Sequence, residues 1–267
     1  MYKVFRNKNI IFGLSLFGFF FICFMVSLFW TPHQYNEIFD GMALQPAGSK
    51  FLLGTDDLGR DLFSRLLKGS QFSLGIGLIV GGISVIIGAS LGLISGYFGG
   101  RIDHFINQVM NALQAMPSLL LALFVVAILG PSVINTILSV TLVSIPTMYR
   151  LVRSSSLVEM SKEYIQSARA VGAGHSRIIL RHLLPNCVTP ILVQTAVCCS
   201  EAILNTAALG FLGLGIQAPY PEWGTMLSDS KNLMESAPQL MMIPGICLLL
   251  LILSTQLISD GLRDHLS

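Results

Sequence analysis

Charge is scarce in this sequence. Sixteen basic and fourteen acidic side chains serve 267 residues, or 11%, against about 25% in soluble domains. A soluble globule of this length needs more charge to cover its exterior, so the composition excludes one and leaves a membrane protein. Catalytic signatures are missing as well. There is no G-x-x-x-x-G-K-S/T phosphate loop and no Ser/His/Asp grouping in a recognisable local motif, so any energy source is an ion gradient or another subunit. CxxC and HExxH spacings do not occur and the five histidines do not cluster, which leaves no metal site to expect. Cys23, Cys187, Cys198, Cys199 and Cys247 all fall within or beside apolar runs, as ordinary apolar residues rather than a disulfide framework.

Long apolar runs are what the chain has instead. Ile10 to Trp30 carries no Asp, Glu, Lys or Arg and follows a basic leader with Lys3, Arg6 and Lys8. It exceeds the apolar core of a cleaved signal peptide, and no small-x-small site follows, so the sequence predicts a first transmembrane helix over 9–30. Residues 31–70 are polar and form an external loop. Within it LGTDDLGRDLFSRLLKGS, Leu53 to Ser70, reads as a turn through Gly54 and Gly59 and a short amphipathic helix on the outer surface.

The remaining chain, 71–260, predicts five more spans. Phe72 to Phe98 spaces Gly77 and Gly81, then Gly88, Gly92 and Gly96, at four-residue intervals, the pattern that lets helix backbones approach in lipid. No charge occurs between Asp103 and Arg150, enough for two crossings of about 20 residues each. They are separated by a turn at Gly130, Pro131 and Ser132, with Pro117 inside the third span and Pro146 inside the fourth. The fifth runs from Cys187 to Leu212 and the sixth from Leu240 to Ser259.

Six spans put both termini on one side. Eleven basic residues (Lys3, Arg6, Lys8, Arg101, Arg150, Arg153, Lys162, Arg169, Arg177, Arg181 and Arg263) then share that side and five (Lys50, Arg60, Arg65, Lys68 and Lys231) take the other. The positive-inside rule makes the termini cytoplasmic. The expected architecture is a single all-α, polytopic membrane domain over 1–267.

The longest polar stretch between the fourth and fifth spans, Ser161 to Asn186 (SKEYIQSARAVGAGHSRIILRHLLPN), then faces the cytoplasm. Ser161 is placed to cap a short helix with Tyr164, Ala168 and Val171 on one face and Lys162, Gln166 and Arg169 opposite. Gly172, Ala173 and Gly174 end that helix, and Ser176 is placed to cap a second that carries Ile178, Ile179 and Leu183 up to Pro185. Physics alone allows a docking element or a solvated loop. Glu201 is the one acidic residue well inside a span, and such a carboxylate is costly to insert. It either lines a path with Asn205, meeting a peptide's amino group, or sits at a wet subunit interface.

QSARAVGA followed by LLPN resembles the cytoplasmic EAA loop of permease subunits in ABC importers. Gln166, Ser167 and Ala168 stand at the EAA positions, and Gly172, Leu184 and Pro185 at the later ones. Gln166 replaces the usual Glu and Ser167 the first Ala, with Glu163 one turn earlier. LGTDDLGRDLFSRLLKGS, MPSLLLALFVVAILGPS, AALGFLGLGIQAPYPEWGTMLSD and DGLRDHL extend the resemblance to the dipeptide, oligopeptide and nickel permease family, most like the second permease of dipeptide systems. Thr206 stands where that family often has Glu.

The resemblance implies the type I importer permease fold (MetI-like) in a bacterial inner membrane. It also implies a non-enzymatic conduit for dipeptides or short peptides, with nickel chelates, oligopeptides, haem or antimicrobial peptides as alternatives. The implied partners are a second homologous permease, two ATPases that bind ATP and Mg, an external substrate-binding protein and membrane lipid. No nucleic acid is among them, and this chain has no cofactor of its own. Coupling to the ATPase falls to Glu163, Gln166, Ser167, Ala168, Arg169, Gly172, Ala173, Gly174, Leu184 and Pro185, within a loop spanning 153–186. A gradient-driven transporter is the competing class, and it would need ionisable residues in several spans.

Overall fold

A computed structural model describes residues 8–266. The basic leader residues Lys3 and Arg6 lie outside them. The described residues form helices and loops with no named strand, only an isolated antiparallel bridge between Thr55 and Asp61. Helix α1 is Lys8–Phe29, close to the expected first span. Phe12, Phe19, Ile22 and Phe29 are exposed on it, the surface that lipid rather than water would cover. It packs on the last helix, α9 (Gln239–Leu266), where a Cβ at Gly13 would touch Leu257 and one at Gly261 would touch Ile10.

The segment after α1 departs from expectation. No separate amphipathic helix lies on the outer surface. Helix α2 starts at Leu62 and runs to Phe98 as one 37-residue element, so the boundary expected at 70 falls within a continuous helix. The charges expected to face water are inside. Asp56, Arg60, Asp61 and Arg65 are all below 9% exposed. Burial of Asp56, Arg60 and Arg65 is tolerable because they pair with one another, while Asp61 is held by Ser64 and His33. Arg60 Nε donates to Asp56 Oδ2 at 2.6 Å, and Arg65 Nε lies 3.4 Å from the same oxygen. Asp61 accepts from Ser64 N–H at 3.0 Å, capping α2, and lies 3.3 Å from His33 Nδ1. Gly54 and Gly59 do take left-handed turns (φ +84° and +79°).

The glycine stripe on α2 does what its spacing predicts, but toward two partners. A Cβ at Gly77 or Gly81 would meet Ile203 or Cys199, whereas one at Gly88, Gly92 or Gly96 would meet Met148, Val152 or Ser156. A π-helical turn at Val85–Ala89 begins after the first set and contains Gly88, the first of the second. Its extra residue rotates the following face by about 100°, turning α2 from one neighbour to the other.

Helix α3 (Gly100–Gln114) and α4 (Ser118–Leu129) meet at an 86° bend. The expected kink at Pro117 is thus a full break between two helices. The proline stands at the break, with no N–H to donate and a ring that disfavours helical geometry at Met116. At 12 residues, α4 is about 18 Å long, too short to cross alone. Gly130 (φ +85°) and Ser132, which accepts from Asn135 N–H at 3.1 Å, make the expected turn into α5 (Val133–Met160), and Pro146 is inside α5.

Beyond the polar loop, α6 (Glu163–Ala170) leads to α7, the 37-residue His175–Phe211. Helix α8 (Trp223–Ser230) follows and precedes α9. Helices α1, α2, α7 and α9 are long and apolar enough to cross a membrane, and α3 with α4 makes a fifth candidate as a broken span. Helix α5 has the length, 28 residues, but a more polar composition. The expected second helix of the polar loop does not stop at Pro185: α7 runs through it. A π-helical turn at Ile179–Leu183, closed by Leu184 N–H to Ile179 O, widens the helix just before the proline ring and removes the clash.

Candidate functional site: a polar docking loop and an intramembrane cavity

The loop between α5 and α7 is a helix–turn–helix, built differently from its sequence expectation. Ser161 does not cap α6: its hydroxyl donates to Val158 O at 2.8 Å. Lys162 occupies the cap position without a side-chain bond and pairs instead with Glu159. Ser176 likewise sits inside α7, whose cap position is Gly174. The face assignment also shifts by one residue. Ile165 is fully buried, while Tyr164 is 39% and Val171 87% exposed. Ile165 packs with Ile178, Leu183, Cys187 and Val152. On a helix of two turns, Ile165 and Tyr164 satisfy the same spacing, and only the position of α7 decides between them.

The tip matches the expected turn. Gly172 has φ +83°, its N–H donates to Arg169 O at 2.9 Å, and Ala173 N–H donates to Ala168 O at 3.1 Å, a complete Schellman end. A Cβ at Gly172 would meet nothing within 4 Å, so the tip is open. Glu163, Gln166, Ser167, Arg169, Gly172, Gly174 and Pro185 are exposed, while Ala168, Ala173 and Leu184 are half-buried. Glu159 ties the loop base together by accepting from Tyr164 Oη at 2.8 Å, and Asn186 Nδ2 donates to the same hydroxyl at 3.0 Å.

Glu201 and Asn205, one turn apart on α7, face a cavity of about 540 Å³ whose other walls include Gln114, Met116, Pro117 and Ser118 at the α3–α4 break and Thr147 of α5. Helical spacing puts the two side chains on one face, and the 86° bend opens the opposite wall. Thr206 faces elsewhere. It is 1% exposed and its hydroxyl lacks a hydrogen-bond partner.

Two features were not singled out from sequence. Tyr97, at the end of α2, places its hydroxyl 2.7 Å from His175 Nδ1 and its ring under the Arg169 guanidinium at 5.1 Å. Glu222 is 1% exposed and accepts from Gly224 N–H and Thr225 N–H at 2.9 Å and from Ser73 Oγ at 3.2 Å. Burial pushes its carboxyl up to about 7 against those three donors. A Pro-Glu-Trp-Gly run within a loop is the only sequence signal for it, an acidic cap before a short helix.

An all-helical membrane fold with a broken span, an intramembrane cavity and a protruding polar loop defines a multi-pass membrane transport subunit. The chain belongs to the family of binding-protein-dependent transport system inner membrane components, whose model matches residues 88–267. It is 42% identical over 261 residues to the dipeptide transport system permease protein DppC of Alkalihalophilus pseudofirmus, covering 98% of this chain and 86% of the relative. It is also 44% identical over 270 residues to the protein of the same name from Escherichia coli K12, covering 98% and 89%. The glutathione transport system permease protein GsiD of Pectobacterium atrosepticum is 39% identical over 254 residues, covering 93% and 84%. Among solved structures, an inward-facing methionine ABC transporter superposes with a TM-score of 0.63 at 18% identity, covering 76% of this chain and 96% of that one. That likeness concerns the fold alone.

Proposed function

We propose that this chain is one of two permease subunits of an ATP-driven importer of dipeptides or short peptides. Its docking loop engages a cytoplasmic ATPase, and its Glu201/Asn205 cavity forms half of the path. The observation that carries the reading is α7 itself. One helix presents the polar loop at its start and the cavity-lining pair further along, so a force on the loop acts directly on the cavity wall. The relatives named for dipeptide transport support the substrate class.

The proposed assembly has a second homologous permease, two ATPase subunits that bind ATP and Mg, and an external binding protein that delivers substrate. This chain binds neither nucleotide nor metal. Six crossings of a bacterial inner membrane, with α3–α4 and α5 as third and fourth, leave both termini and the docking loop in the cytoplasm. The exposed positions Glu163, Gln166, Ser167, Arg169, Gly172, Gly174 and Pro185 contact the ATPase, with Ala168, Ala173 and Leu184 supporting them. Nucleotide drives transport only as far as the ATPase binds one arrangement of this loop better than the other.

Gly172→Asp tests the reading. The change meets open space but places a charge and a strained φ at the tip, so the protein inserts while labelled dipeptide uptake in a strain lacking the native copy is lost. Normal uptake by well-expressed variant protein would refute it. Nickel uptake lost with dipeptide uptake intact in the deletion strain would change the substrate.

A further inference from the structure

Two covalent connections join the docking loop to the rest of the chain, through α5 and α7. A third connection is not covalent. Tyr97 is 7% exposed at the end of α2. Its hydroxyl is hydrogen-bonded to His175 at 2.7 Å, its ring supports Arg169 at 5.1 Å, and the neighbouring Phe98 ring lies 5.7 Å from the His175 ring. Arg169 precedes the Gly172 turn and His175 follows it, so one buried ring touches both sides of the tip. Arg169 and His175 are themselves exposed and open to a docked protein, while Tyr97 is not.

What Tyr97 is attached to gives the contact its meaning. Just beyond it, after Phe98, Gly99 and Gly100 adopt φ +61° and +56° with open space around both, a joint that other residues would strain. Beyond the joint, Asp103 of α3 accepts from Ser95 of α2 and from Arg153 of α5, the latter through Nε and Nη2 at 2.5 and 2.6 Å. Ser95 also shares a hydrogen bond with Tyr149 at 2.9 Å. At its far end α3 is fastened to α5 by Arg150 donating to Gln114, and Gln114, Met116 and Pro117 are cavity wall. Non-covalent bonds joined through the backbones of α2 and α3 thus connect the docking tip to the wall facing Glu201.

We infer that Tyr97 is a positioning residue for transport: it locks the docking loop to the α2–α3 joint, so that loop displacement reaches the α3–α4 wall of the cavity as well as α7. Without the lock, the ATPase still docks and still hydrolyses ATP, but only one wall follows.

The inference rests on the docking role proposed above, and the two are separable by experiment. The whole importer, reconstituted in proteoliposomes with dipeptide-loaded binding protein, is compared for wild type, Tyr97→Phe, His175→Phe and the double variant. Tyr97→Phe keeps the ring under Arg169 and removes only the hydroxyl. Expected for Tyr97→Phe are unchanged co-purification of the ATPase, undiminished ATP hydrolysis and about five-fold less dipeptide transported per ATP, the factor that one net hydrogen bond sets. The double variant is expected to be no worse than either single one, since both remove the same bond. A wild-type ratio of dipeptide to ATP in Tyr97→Phe, or additive losses in the double variant, would overturn the inference. If Tyr97→Phe fails to insert, the exposed His175→Phe change decides by the same ratio. Failure of the wild-type loop to retain any ATPase would instead defeat the docking reading.

Discussion

Ser73, at the start of the apolar stretch of α2, donates from Oγ to Glu222 Oε1 at 3.2 Å across 149 positions of sequence. The carboxylate is sealed from water, has no cation beside it, and caps α8 with its two backbone acceptor contacts. Its pKa near 7 lies above the ordinary 4.5, so the folded state holds a proton that the unfolded chain has already released. Its stabilising contribution is complete below about 4.5 and is lost as pH rises toward about 7. Thermal unfolding of purified protein in detergent is expected to show that slope, and Glu222→Gln to flatten it. Parallel curves for the two proteins would mean that the carboxyl does not titrate there.

Close helix contact at the glycine stripe gives a second expectation. A Cβ at Gly92 would press on the backbone of Tyr149 and Arg153, whereas Gly82 on the same helix has nothing within 4 Å. Gly92→Val is expected to cost about 1–3 kcal/mol as overpacking, and Gly82→Val far less. Detergent-solubilised yield and unfolding temperature of the pair check it, and equal behaviour would remove the packing explanation.

The buried face of α6 is decided by comparing neighbours. Ile165→Ala is expected to destabilise by about 2–5 kcal/mol, as for other fully buried isoleucines. The exposed Val171→Ala change (87% exposed) should fall within about 0.5 kcal/mol of wild type. Limited proteolysis of the 161–186 segment is a direct readout, with faster cleavage for Ile165→Ala alone.

At the cavity, Glu201→Gln keeps shape and removes charge. If the carboxylate meets the ammonium end of a peptide, dipeptide uptake is expected to fall about ten-fold or more, the scale of a charge-assisted hydrogen bond, with normal insertion and ATPase binding. N-acetylated dipeptide serves as the control, since it should lose nothing further in the variant. Unchanged uptake of free dipeptide would place the role of Glu201 elsewhere.

The sequence shows some of this structure plainly and hides the rest for identifiable reasons. Uncharged runs mark α1, most of α2 and α9, and a run broken only by Glu201 marks the later part of α7, because lipid tolerates few charges along a helix. Gly172 marks the tip, because only a residue free of Cβ strain sits easily at φ +83°. The packing stripe on α2 was legible from glycine spacing, but its change of partner depends on a π turn that no residue type announces. Asp56, Arg60 and Arg65 read as surface because charge usually is. The Asp56–Arg60 pair is local, but the contact of Arg65 with Asp56 forms only when the loop folds back on α2. Tyr97 lies 78 positions from His175, and an isolated tyrosine at the end of a span looks like any interfacial aromatic.

The unbroken α7 has a further consequence in simple trigonometry. Thirty-seven residues make a rod about 55 Å long at 1.5 Å per residue, so a tilt of about 10° around its midpoint moves each end by about 5 Å. Movement of that size at the polar-loop end is matched by an equal and opposite swing at the far end, beside Glu222 and α8. Displacement at one end of α7 is thereby geared to the other with no further moving part.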